Sequence, residues 1–92
     1  MASYSVVLTA CARREIECLE KTDRRRVVAA IGFLREDPRP HGCEKLSALD
    51  RYRIRVGSYR VVYTIDDAAV TVFVMKVGHR RDVYRGGNQD RR

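Results

Sequence analysis

Three arginines alternate along Arg51-Tyr52-Arg53-Ile54-Arg55-Val56, and a fourth, Arg60, follows just past Gly57-Ser58. A guanidinium is a planar fork that grips phosphate through two parallel hydrogen bonds, so converging arginines point to a phosphate-bearing polyanion. Farther along, His79, Arg80, Arg81 and Tyr84 add an imidazole, two more guanidiniums and a phenol. These groups supply what metal-free phosphodiester cleavage needs: a base for the attacking hydroxyl, cations for the developing negative charge, and an acid for the leaving oxygen. Neither a metal nor a cofactor is expected. The two histidines, His41 and His79, are far apart, and Cys11, Cys18 and Cys43 show no CxxC or Cys/His ligand spacing.

The charge of the whole chain agrees with a polyanionic partner. Nineteen Lys and Arg face twelve Asp and Glu, a formal charge of +7, with a pI near 9.8. Only Lys21, Lys45 and Lys76 are lysines, so the basic side is almost wholly arginine. No apolar run approaches the ~20 residues of a membrane helix. The first residues carry neither a basic n-region nor the apolar stretch of a secretory signal, so a cytoplasmic location is expected. The odd cysteine count suits buried or half-buried thiols rather than disulfides.

Ninety-two residues are enough for one domain, with a core over about residues 3–85 and a polar tail at 86–92. Residues 3–8 alternate as a strand, after which Thr9 can cap an amphipathic helix over about residues 10–20 carrying Ala12, Ile16 and Leu19 on one face. Thr22 or Asp23 suits the N-cap of a second helix, whose stripe of Val27, Ala30, Ile31 and Leu34 ends before Pro38 and Pro40. Residues 37–48 read as a surface connection. From Arg51 the apolar period changes from 3.6 to 2, giving a hairpin through Gly57-Ser58 and a third consecutive strand over residues 70–77. Glycine at the first loop position indicates a type II′ turn. The order β-α-α-β-β-β predicts an α+β fold: two antiparallel helices on one face of a small, mainly antiparallel four-stranded sheet.

A two-residue loop pairs Val56 with Tyr59 and Arg55 with Arg60. One face of the hairpin then carries Tyr52, Ile54, Val56, Tyr59, Val61, Tyr63 and Ile65 as a bed for the helices. The other carries Arg51, Arg53, Arg55, Arg60, Val62 and Thr64. Like charges directly opposite each other destabilise a sheet, within the ~0.2–1 kcal/mol span of cross-strand effects. Such a cluster is explained by a phosphate seated on it. The alternative is a solvated face whose arginines pair with acids from loops, although no acidic residue lies on this face of the hairpin.

The segments Tyr52-Arg53-Ile54-Arg55-Val56-Gly57-Ser58-Tyr59-Arg60-Val61-Val62-Tyr63 and Val77-Gly78-His79-Arg80-Arg81-Asp82-Val83-Tyr84-Arg85 closely resemble the RelE/ParE toxin superfamily, its RelE branch in particular. The resemblance spans about residues 4–85. It implies a RelE-like fold and the toxin of a toxin–antitoxin pair, which enters the ribosomal A site and cuts the mRNA being translated. The RNA's own 2′-hydroxyl would attack, without metal, leaving a 2′,3′-cyclic phosphate. By motif position, the resemblance assigns catalytic or phosphate-binding roles to Arg53, Arg55, Arg60, Arg80 and Tyr84; Arg51 and Arg81 join them as further phosphate contacts. It also implies a cognate antitoxin, and an acidic one suits the positive surface. Where better-studied RelE toxins carry lysines, this chain has Arg53 and Arg55, which are poor proton acceptors because guanidinium stays charged. Tyr84, or else His79, is then the expected base. Two other functions compete: a ParE-like inhibitor of DNA gyrase, and a non-catalytic RNA- or ribosome-binding protein.

Overall fold

The structure, a computed structural model, describes residues 3–46 and 51–79. Seven elements follow one another: β1 (Ser5–Leu8), α1 (Ala10–Glu17), α2 (Lys21–Phe33), β2 (Glu44–Leu46), β3 (Arg51–Val56), β4 (Tyr59–Asp66) and β5 (Thr71–His79). The strands form one sheet in the order β1-β5-β4-β3-β2. β1 runs parallel to β5 and every other pair is antiparallel. The α+β architecture is the expected one, with five strands instead of four. The additional strand, β2, lies inside the stretch expected to be a surface connection.

The helices form where the sequence places them, with shifted ends. Thr9 caps α1, its hydroxyl accepting from the Ala12 N–H. α1 stops at Glu17 with Cys18 as its C-cap, so the expected last turn to residue 20 is absent. α2 starts earlier than expected, from an extended Glu20 that makes no side-chain cap bond; Thr22 and Asp23 lie within the helix. Cys11 and Cys18 are exposed and Cys43 half-buried, so two thiols face solvent where burial was expected.

The core sits between the helices and one face of the sheet. Ala12 and Ile16 of α1, with Val27 and Ile31 of α2 and its C-cap Leu34, meet Ile54, Val61, Tyr63, Val72, Val74 and Val77. Tyr63 is fully buried, and its hydroxyl donates to the Pro38 carbonyl at 2.7 Å. Beside this contact Arg39 forks onto Asp67 at 2.9 and 3.3 Å, Tyr4 donates to the same carboxylate, and the Arg39 guanidinium lies 5.3 Å from the Tyr52 ring centre. This clasp holds the segment after α2 against β1, β3 and the β4–β5 turn.

One irregularity decides which side chains face the helices. The β4–β5 ladder pairs Val62 with Lys76 but Tyr63 with Val74, leaving Met75 as an inserted residue. Val74 and Val77 are both buried in the core although three positions separate them, a spacing that uninterrupted alternation forbids and a bulge allows. β1 stops pairing at Val74. Beyond it, Glu15 of α1 accepts from the Val77 N–H at 2.7 Å and pairs with the Lys76 ammonium at 3.1 Å.

Candidate nucleic-acid interface

The β3–β4 hairpin has the expected register: Val56 opposite Tyr59, Arg55 opposite Arg60, Arg53 opposite Val62 and Arg51 opposite Thr64. Gly57 turns at φ +61°, while Ser58 is not among the residues of positive φ, as the type II′ turn requires. The alternation that buries Ile54, Val61 and Tyr63 under the helices therefore puts Arg51, Arg53, Arg55 and Arg60 together on the opposite face.

The four arginines stand in unlike surroundings. Arg51 and Arg55 are exposed and Arg53 is half-buried. Arg60, at 6% exposure, is the buried charged residue among those described, beside Val62, which is also 6% exposed. The face is not free of acid. β2 sets Glu44 directly opposite Arg53, and the two form an ion pair. Glu44 belongs to a strand of three residues, too short for its alternation to be recognised beforehand. A phosphate binding along this row must draw Arg53 away from Glu44, whereas Arg55 meets it from solvent.

His79 stands elsewhere. It pairs with Tyr59 across the β4–β5 ladder, and their rings meet edge-on with centres 5.9 Å apart. Tyr59 packs against the helix-side core, whereas Arg60 pairs with Gly78 and faces the other way. The expected meeting of the imidazole with the arginine row is thus replaced by a place on the opposite face. The bulge at Met75 is the cause, since it shifts the alternation of every later residue in β5. Burial and the nearby Asp23 and Glu20 carboxylates push the Tyr59 hydroxyl above its ordinary titration range. Arg80, Arg81 and Tyr84 lie outside the described residues.

A second group near the hairpin tip went unread in the sequence. The Arg26 guanidinium of α2 lies against Gly57, where an added Cβ would come within 3.4 Å of it. Nothing in a helical arginine run marks which member reaches the sheet.

A family profile described as the ParE toxin of the type II toxin–antitoxin system parDE matches residues 6–84. The chain belongs to this family. It is 37% identical to Toxin RelG of Mycobacterium tuberculosis over an 84-residue alignment that covers 89% of this chain and 97% of RelG. Its fold superimposes on the M. tuberculosis RelBE2 toxin–antitoxin complex with a TM-score of 0.76 at 33% identity, covering 86% of this chain and 93% of that one. Against the isolated E. coli RelE toxin the TM-score is 0.75 at 30% identity, covering 96% and 98%. This RelE/ParE family member is therefore a toxin of a type II toxin–antitoxin system, with the RelE-like α+β fold expected from its motifs.

Proposed function

We propose that this toxin is a ribosome-dependent endoribonuclease that cuts mRNA in the A site, in the cytoplasm, under the control of a cognate antitoxin. The observation that carries the reading is the hairpin register, which gathers Arg53, Arg55 and Arg60 on one face, away from the helices. In this reading Arg51, Arg53, Arg55 and Arg81 hold the RNA backbone, while Arg60 and Arg80 stabilise charge on the phosphorus centre. Tyr84, ionised to its phenolate, takes the proton of the 2′-hydroxyl, because guanidinium groups stay protonated and cannot act as acceptors. The oxygen so freed attacks the adjacent phosphorus, a 2′,3′-cyclic phosphate forms, and the 5′-oxygen leaves with a proton from solvent. An acidic antitoxin complements the +7 chain.

Primer extension on an mRNA, in a reconstituted translation reaction and in parallel without ribosomes, tests this. Cuts within codons that need translating ribosomes are expected. Tyr84→Phe should suppress them while retaining RNA affinity, and Arg60→Ala should weaken cleavage and binding together. Intact mRNA in a translating reaction would overturn the assignment. The match to the ParE profile supports a second reading, inhibition of DNA gyrase. Loss of supercoiling activity beside normal translation would establish it.

A further inference from the structure

Among the described residues, Phe33 is the exposed large aromatic, 55% accessible at the last position of α2. Ala30 and Arg26 precede it by three and seven positions, so the three share one flank of the helix. A groove runs between this flank and β3, lined by Ala30, Phe33, residues 40–42, Ile54 and Arg55. It is open because β2 pairs with β3 only as far as Arg53, which leaves the edge from Ile54 onward uncovered. Gly42, at φ +95° with no atom within 4 Å of a Cβ built there, puts no side chain across the mouth.

Arg55 belongs to this groove and also to the arginine row, where it pairs with Arg60. Arg26 lies over the adjoining hairpin tip at Gly57. No carboxylate is among the described lining residues. An aromatic face bordered by guanidiniums is how proteins hold single-stranded nucleic acid: bases stack on the ring and phosphates meet the cations. A helical protein partner would look for several protruding apolar anchors. Here Ile54 is buried, Ala30 half-buried, and only Phe33 stands out.

We propose that this groove is a nucleotide subsite: a base flanking the phosphate held on the arginine row stacks on Phe33, and its own phosphate bridges Arg55 and Arg26. The subsite rests on the RNA-binding reading above and adds a contact that selects for a stacked base beside the cut. It makes Phe33 a determinant of affinity for a base at that position, whichever base it is.

The test is fluorescence anisotropy with a short, labelled 2′-O-methyl oligoribonucleotide, which lacks the attacking hydroxyl and stays intact, together with a series carrying one abasic position each. Loss of one stacked base should weaken binding about 5- to 150-fold. Phe33→Ala is expected to show this loss, and Phe33→Trp to restore affinity. One abasic position should weaken the wild type equally and have no further effect on Phe33→Ala. Equal binding by Phe33→Ala, while Arg60→Ala binds less tightly, overturns the subsite, leaves the RNA reading standing and gives the groove to a protein partner. A Phe33→Ala penalty that is the same across the whole abasic series also overturns it, as a general effect on the fold. No binding by the wild type overturns the subsite as a site for free RNA, while the ribosome-dependent reading stands or falls separately on the primer-extension assay.

Discussion

Replacing Glu44 with Gln should tighten RNA binding. Glu44 is paired with Arg53, the carboxylate side 57% exposed and the guanidinium side 15% exposed. Breaking a pair of that exposure costs about 0–1 kcal/mol. A phosphate seated on Arg53 would also lie roughly 6 Å from the Glu44 carboxylate, and two like charges at that distance repel by about 0.7 kcal/mol in bulk water, more at a protein surface. Removing the carboxylate therefore returns about 0.7–1.7 kcal/mol to the complex, or a Kd lower by about 3- to 17-fold. The amide is the same size as the carboxylate, so β2 should keep its place. Anisotropy titration of a 2′-O-methyl oligoribonucleotide measures the gain, and circular dichroism checks the fold. The gain is electrostatic, so it should shrink as salt is raised toward roughly 1 M, where screening acts within about 3 Å. Unchanged or weaker binding by a folded Glu44→Gln variant at low salt would refute the placing of phosphate on Arg53.

Three further outcomes are expected. Tyr63→Phe removes the hydroxyl that donates to the buried Pro38 carbonyl at 2.7 Å, costing about 1–2 kcal/mol and lowering Tm by about 4–16 °C in a scanning calorimeter. Arg39, and after it Tyr4, hold the Asp67 carboxyl below its ordinary range. The stabilisation from that depressed carboxyl is complete above the unfolded value of ~3.9 and is lost as pH falls through the lower folded one. The Tm gap between wild type and Asp67→Asn should therefore close below about pH 4. His79→Ala should leave cleavage within about threefold of wild type, because its ring packs on Tyr59 across the sheet from Arg60; a loss of orders of magnitude in a translation-coupled assay would mean that the imidazole reaches the scissile phosphate.

Much of the fold was legible because it is local. Thr9 announces α1 by a hydroxyl placed to cap it, and Gly57-Ser58 fixes the hairpin because a two-residue loop leaves one register. That register alone was enough to assemble Arg51, Arg53, Arg55 and Arg60. β2 escaped notice because three residues cannot display a period, and with it went Glu44, the acid that meets Arg53. The parallel pairing of β1 with β5 joins segments more than sixty residues apart, and no local pattern encodes it.

The bulge in β5 was illegible for a different reason, and it matters most for the chemistry. Alternation reveals a strand's inner face only when polar residues mark the outer one. From Val70 to Met75 all but Thr71 are apolar, so parity is unmarked just where it changes. Continued from Val72 and Val74, uninterrupted alternation would put Lys76 and Gly78 inward and His79 on the arginine face. With Met75 inserted, Val77 turns inward and His79 follows it to the side of Tyr59. The groups described on the arginine row are then guanidiniums and the Glu44 carboxylate paired with Arg53, with no imidazole among them. In the proposed reading the imidazole therefore gives way as base to a group from beyond His79, the Tyr84 phenol, which sequence position alone assigns to that task.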